Sequence, residues 1–481
     1  MGTGKTILGK TILENSYARL PESFHAIVEP NGVAAPSMLA WNQELALELG
    51  LESIAEDETE LARIFSGSSR PAGVHAIAMA YAGHQFGHFV PQLGDGRAAL
   101  LGEVVTDSGC RYDVQLKGAG RTRFSRGGDG KSWLGPVLRE YILSEAMHRL
   151  GVPTTRALAA VASGESVYRE SVRPGAVFTR IASSHLRVGT FEYFAAQRDI
   201  ESLTTLADYA IDRHCPDAKG EKEPLIAFFR RASERQAELV ARWMAVGFIH
   251  GVMNTDNTAI SGETIDYGPA AFMDEFSSNK VFSSIDRHGR YAYANQAPIA
   301  QWNLARLAES LLLLGAAKAE LEAVLIDFPA CYDRFYLDLM RQKLGLLDAK
   351  ENDQALLNDW LSYLQNNELD YSLSFRALAE RIDANEETRF GEFELRWRQR
   401  VGQQKIAPTQ IRKRMNSVNP LFIPRNHRVE QAIDQAVTGD LTVFNELNTV
   451  LSQPYAEQAK FAHYADAPNP SERVSQTFCG T

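Results

Sequence analysis

Cysteine is scarce in this sequence: Cys110, Cys215, Cys331 and Cys479 are its 4 thiols in 481 residues. They stand far apart and form no C-x2-C pair, which excludes a zinc ribbon as the organising element. Long apolar runs are missing too. None approaches the roughly 18 residues needed to cross a bilayer, and the start of the chain has no apolar signal-peptide core, so the expectation is a cytoplasmic protein with no membrane partner. Positive charge is in deficit, with 50 Lys and Arg against 60 Asp and Glu and a net charge of -10. That balance argues against nucleic acid as a partner and leaves room only for a local basic pocket. What remains is globular composition, 44% hydrophobic and 23% charged. A chain of this length exceeds one ordinary core, which predicts two or more lobes.

The opening MGTGKT resembles the tail of a P-loop, but it shows neither the upstream Gly nor the preceding strand that phosphate binding requires, and none is expected there. Residues 1–75 mix helical and loop signals and read as an N-terminal extension. From 76 to 190 the pattern turns to strands and glycines. LLGEVV and RYDVQLKG are β candidates joined by a turn at Asp107-Ser108-Gly109, with Tyr112, Val114 and Leu116 on one face and Asp113, Gln115 and Lys117 on the other. GAGRTRFSRGGDGKS comes next, with Arg121, Arg123, Arg126 and Lys131, and then an apolar-periodic helix with Pro136 in its first turn. A glycine-rich loop just before a helix N-terminus is a natural cradle for anions. Residues 191–345 read as a helical lobe, and 346–481 as a helical extension ending in the tail that carries Cys479; helices are expected at 230–247, 301–315, 319–340, 352–365 and 429–437. The fold class is therefore α+β, with a β-rich front lobe, a helical rear lobe and the chemistry between them.

The chemistry centres on HGVMNTDN, His250 to Asn257. Phosphotransferases use a similar octet, H-R-D-x-x-x-x-N or H-G-D-x-x-x-x-N, whose third residue accepts the proton of the attacking hydroxyl. Here that position is Val252, so the site either is inactive or uses another carboxylate, and Asp256 is the acid that the octet offers. A hairpin closing on Ser261-Gly262 would set Asn257 opposite Asp266, two oxygen donors suited to one magnesium ion, with IDYG standing where D-F-G stands in kinases. A strand Lys must also meet a helix Glu. Lys117 supplies the first; helical spacing admits both Glu140 and Glu145 for the second. His84 and His88 in GHQFGH have zinc-like i,i+4 spacing, yet Gly83 and Gly87 weaken any helix there, and a packing or hydrogen-bonding role is expected.

Taken together, these stretches resemble the selenoprotein O family, also called YdiU. The likeness includes YAGHQFGHFVPQLGDGRAALLGE, DVQLKGAGRTRFSRGGDGK, PGAVFTRIASSHLRVGTFE, IDYGPAAFMDEF and NPLFIPRNH. It implies a protein-kinase-like bilobal fold that binds ATP turned around relative to protein kinases. AMP rather than phosphate would pass to Ser, Thr or Tyr hydroxyls of protein substrates, pyrophosphate would leave, and UTP would be an alternative donor. By the same resemblance, Gly94, Gly96, Arg97, Lys117, Asp129, Gly130, Arg180, Arg187 and Asp266 would bind nucleotide. Asn257 and Asp266 would hold magnesium, or manganese in its place; Asp256 would accept the proton, and Glu140 would pair with Lys117. Cys479 matches the family's redox position, but FSSNKVFSSIDRHGRY contains no Cys to receive it, leaving only Cys110, Cys215 and Cys331. A monomer is expected. Two other readings are a phosphotransferase acting on a protein or small molecule, and a non-catalytic ATP-binding pseudokinase.

Overall fold

Strands predominate over helices in the first 182 residues and helices over strands in the remainder, so the molecule is α+β. The computed structural model describes residues 6–8, 11–51, 57–69, 74–384 and 387–478. The glycines of the P-loop look-alike and the tail thiol Cys479 lie outside the described residues. A ten-stranded sheet runs in the order Thr6–Leu8, Thr11–Glu14, Ala98–Val105, Arg111–Lys117, Val172–Ala182, Arg156–Tyr168 and Ser37–Trp41. His25–Ile27, Ile77–Met79 and Ser132–Trp133 join it off this path, and all its pairs are antiparallel. Strands from before residue 76 thus belong to the same sheet as those after it.

The turn at Asp107-Ser108-Gly109 joins Ala98–Val105 to Arg111–Lys117, with Ala98 opposite Lys117. Strand alternation sends Val114 and Leu116 into one apolar cluster, together with Leu45, Leu61 and Phe65 from the helices Gln43–Glu48 and Glu58–Phe65. The opposite face is polar, as its sequence predicts, but it does not meet solvent: Asp113, Gln115 and Lys117 are 4%, 0% and 7% exposed. Burying such groups requires partners. Asp113 receives His185 and Arg213, while Gln115 donates to Asp95 Oδ2 at 3.2 Å and accepts from Arg180 at 2.6 Å. This face looks onto the helix Leu134–Arg149 and the cleft beside it.

The five helices expected from periodicity form, with bounds Pro224–Val246, Gln296–Leu312, Lys318–Lys343, Asp353–Asn366 and Asn426–Val437. Val188–Gln197 is a helix the periodicity does not reveal, because its residues from Val188 to Glu192 are buried without a polar stripe. The C-terminal helices, which have no assigned role in the sequence, pack on Leu134–Arg149. Phe444 of Thr442–Leu451 lies 5.7 Å from the Tyr141 ring, and Glu430 pairs with Arg139. They therefore brace the helix that carries Glu140. No helix among the described residues is long and apolar enough to cross a membrane.

Candidate active site

Between the sheet face and the helical half lies a cleft of about 480 Å³. At its base three cations share one carboxylate. Lys117 Nζ is 2.5 Å from Asp266 Oδ1, Arg180 Nη1 donates to the same oxygen at 2.7 Å, and Arg187 Nη1 donates to Oδ2 at 3.0 Å. Burial alone would raise the Asp266 pKa, but Arg180, Lys117 and Arg187 together hold it well below the usual carboxylate range. Lys117 Nζ also donates to Glu140 Oε1 at 2.5 Å. Glu145, the other helix carboxylate, turns away to Arg156 and Asn42. Asp266 has φ +64°, a left-handed conformation that costs a non-glycine residue about 1 kcal/mol and here aims its carboxylate at the three cations.

The two glycine-rich stretches lock to each other at the cleft wall. Thr122 Oγ1 donates to the Asp95 carbonyl at 2.6 Å and Ser125 Oγ to the Gly96 carbonyl at 2.5 Å. A Cβ on Gly94, at φ +69°, would lie 2.3 Å from the Phe124 ring, and one on Gly130 would lie 2.1 Å from the Gly120 carbonyl oxygen. Only glycine allows this approach. Gly94, Gly96, Arg97, Asp129 and Gly130 all line the cleft. Asp129 receives both Nη1 and Nη2 of Arg169 at 2.9 Å, and this bidentate pair lowers its pKa. Among the described residues, seven Lys or Arg and five carboxylates line the cleft, an excess of positive charge in a chain whose net charge is -10.

The octet folds as a tight loop with a 3-10 turn at Thr255–Asn257. His250 Nε2 donates to the Ile265 carbonyl at 2.9 Å, tying the octet to the IDYG stretch. Asp256 is 7% exposed, and burial lifts its pKa to about 6 against the opposing pull of Arg187. Its Oδ1 has no hydrogen-bond partner, and its Oδ2 has one donor, Gln85 Nε2 at 3.4 Å. Val252 lines the same cleft. The expected hairpin is corrected in its pairing. The Ala259–Gly262 turn closes at 3.1 Å, but its arms bond elsewhere: Ile260 N donates to Leu186 O and Thr264 N to Pro153 O. Those segments satisfy the backbone groups of the arms, so Asn257 and Asp266 share the cleft without a shared ladder.

The residues present fit a hard divalent cation. Asn257 Nδ2 donates to the Val252 carbonyl at 3.0 Å, which leaves its amide oxygen for another partner. Asp266 is kept ionised, and its carboxylate lines the same cleft as Asn257. Oxygen-only donors of this kind suit magnesium or manganese. No cluster of three His, Cys, Asp or Glu side chains suited to a metal occurs among the described residues, so phosphate and water oxygens would have to complete the shell.

Gln85, Asn254 and Arg169 are cleft residues that sequence reasoning missed. Gln85 lies inside GHQFGH, where attention to the histidines concealed it. That segment is a β-hairpin of Gly83–Gln85 and His88–Val90 rather than a helix; His84 bonds Glu192 at 2.5 Å and His88 is exposed. Asn254 Oδ1 accepts from Tyr291 Oη at 2.7 Å, a long-range contact with no sequence signature.

Residues 8–452 match the family described as protein adenylyltransferase SelO. The chain is 53% identical over 483 residues to a protein nucleotidyltransferase YdiU of Agrobacterium fabrum, covering 97% of this chain and 99% of the relative. It is 53% identical over 489 residues to the protein of the same name from Rhizobium meliloti, with the same coverage. For the Rhizobium leguminosarum bv. trifolii relative the identity is 54% over 487 residues, covering 97% of each chain.

Proposed function

The chain belongs to the SelO family of protein adenylyltransferases and is a protein nucleotidyltransferase, and on that premise we propose that its cleft transfers AMP from ATP to Ser, Thr or Tyr hydroxyls of proteins, releasing pyrophosphate. UTP serves as an alternative donor of UMP in the same chemistry. The fold is a kinase-like pair of lobes, residues 76–190 and 191–345, with an N-terminal extension 1–75 whose strands join the sheet of the first lobe and a C-terminal extension 346–481, and the protein works as a cytoplasmic monomer. One observation carries the reading: Lys117, Arg180 and Arg187 converge on Asp266 in a cleft whose kinase-type base position is Val252 and whose available carboxylate is Asp256.

Lys117, Arg180 and Arg187 bind the triphosphate by charge-assisted hydrogen bonds, and Glu140 holds Lys117 in place for it. Gly94, Gly96, Asp129 and Gly130 shape the wall against which the nucleotide lies, and Arg97 adds charge there. Asn257 and Asp266 hold the divalent ion. When bound, magnesium neutralises phosphate charge and orients the oxygens of the reacting phosphate. Asp256 accepts the hydroxyl proton as the oxygen attacks the α-phosphorus. A buried carboxyl with a pKa near 6 is ionised at pH 7 and a stronger base than an exposed one. With the α-phosphorus presented to the acceptor, position 252 has no proton to collect, which accounts for a valine there. The reading is tested by supplying magnesium and ATP labelled at the α or the γ phosphorus and asking which label becomes acid-stable on protein. Alpha label supports it. Gamma label would point to a phosphotransferase, and the absence of both to a docking pseudokinase.

A further inference from the structure

The loop from Ala119 to Lys131 leaves the sheet and returns to it. Ala119 and Lys131 form an antiparallel bridge, Gly120 N donates to the Gly130 carbonyl at 3.2 Å, and Ser132–Trp133 then pairs with Val172–Ala182. Thr122 and Ser125 tie the outgoing half of the loop to the cleft wall. The returning limb, Gly127 to Lys131, is held from the other side, by the turn that joins Arg156–Tyr168 to Val172–Ala182. Arg169 of that turn donates through Nη1 to Asp129 Oδ2 and through Nη2 to Asp129 Oδ1, both at 2.9 Å. Its Nη2 also donates to the Lys131 carbonyl at 2.8 Å, and its Nη1 to the Tyr168 carbonyl at 2.7 Å, which fixes the plane of the guanidinium. Glu165, on the same hairpin, pairs with the Lys131 ammonium. Asp129 Oδ1 takes a further donor, Lys131 N at 3.0 Å, so three N–H groups of the protein already address this carboxylate.

We infer that Arg169 is a positioning residue for the nucleotide: it clasps the glycine-rich limb to the sheet, and Asp129 serves the nucleotide by way of this clasp rather than by contact. Gly127, Gly128 and Gly130 give the limb a conformational freedom that must be removed before it can form a fixed wall of the cleft. A planar fork that bonds a carboxylate at two points and a carbonyl at a third removes it, and a lysine in the same place could not. An exposed ion pair is ordinarily worth little, but here the geometry is bidentate and the Lys131–Glu165 pair joins the same two segments into a network. Tyr168 and Val172, which flank the turn, are exposed, so loss of the fork opens the clasp without disturbing a core.

The catalytic consequence of the clasp rests on the adenylyltransferase reading, and the test separates the two. Full-length wild type, Arg169→Met, Asp129→Asn and the double variant are compared by three measurements: hydrogen exchange of residues 119–131 without nucleotide, the Kd for ATP with magnesium by calorimetric titration, and kcat at saturating α-labelled ATP with a protein acceptor. Thermal unfolding confirms equal folding, and Arg169→Lys, which keeps the charge and loses the fork, replaces the methionine variant should that protein unfold. Each single variant should speed exchange in the loop about tenfold while the strands Ala98–Val105 and Arg111–Lys117 exchange as in wild type. Each should weaken ATP binding by about 5-fold to 20-fold with kcat within about twofold of wild type. The double variant should bind ATP no more weakly than the weaker single one, because both substitutions open the same clasp. Wild-type exchange and ATP affinity in Arg169→Met overturn the inference. So do losses of affinity that multiply in the double variant, which would mean that Asp129 touches the nucleotide itself. A wild-type protein that transfers no α label overturns the adenylyltransferase reading, while exchange and ATP affinity still decide the clasp.

Discussion

Asp266→Asn keeps the size of the side chain and removes the one charge that Lys117, Arg180 and Arg187 share. Opening a buried ion pair from one side costs about 3–5 kcal/mol. The Asp266 side chain is 18% exposed, which favours the lower end of that range. With an unfolding entropy of about 2.1 cal/mol/K per residue, a cooperative chain of this length loses about 1 °C of Tm per kcal/mol, so the variant should melt about 3 °C below wild type. The effect depends on pH with a definite sign. Because the folded pKa is depressed, the stabilisation is fully present above the unfolded carboxyl value of about 4 and is lost as pH falls through the folded value, so the gap in Tm should hold at pH 8 and narrow below about pH 4. Inorganic tripolyphosphate should restore much of the lost stability by taking the place of the missing anion, and should raise the Tm of the variant more than that of wild type. Calorimetry at pH 8 and pH 3.5, with and without tripolyphosphate, measures all of this. A variant as stable as wild type at pH 8, or one insensitive to tripolyphosphate, would refute the cation-cluster argument.

Asp256→Asn should lower kcat by about 10²-fold to 10⁴-fold while leaving ATP affinity nearly unchanged, as steady-state kinetics and equilibrium binding will report. In wild type, kcat/KM should rise with pH through a midpoint near 6, because transfer requires the ionised Asp256 and burial has raised its pKa; a midpoint at the ordinary carboxyl value would count against this base. Glu140→Gln should raise KM for ATP by about tenfold as Lys117 loses one of its two carboxylates, whereas Glu145→Gln, which frees Arg156, should lower Tm without affecting KM. Gly94→Ala, forced to hold φ +69° against the Phe124 ring, should weaken ATP binding and leave the rest of the fold intact, as titration and circular dichroism can establish. Chelation should abolish transfer, and added magnesium or manganese should restore it.

Local signals in the sequence reach far into this structure. The alternation of Arg111–Lys117 and the Asp107-Ser108-Gly109 turn predict the strand pair that presents Lys117. The apolar period of the helices from 224 to 437 survives with shifts of a few residues at their ends. What the sequence conceals is set by distant partners. Residues 258–265 carry hairpin signals, yet their backbone bonds go to Leu186 and Pro153, segments that no local pattern brings near. Helical spacing admits both Glu140 and Glu145, and only the fold directs the second to Arg156. Gln85 has the same origin: an uncharged residue between two histidines comes to line the cleft because its hairpin is anchored on Thr255 and Asn254. The alternation of Arg111–Lys117 shows which residues share its polar face but not their partners Asp95, Arg180 and Arg213, which come from distant segments.

A crystal structure with magnesium and a non-hydrolysable ATP analogue bears most directly on the reversed nucleotide. The account predicts the α-phosphorus as the phosphate centre nearest Asp256, with Asn257 and Asp266 on the metal and the other phosphates among Lys117, Arg180 and Arg187. A γ-phosphorus nearest Asp256, with the α-phosphorus remote from it, would contradict it.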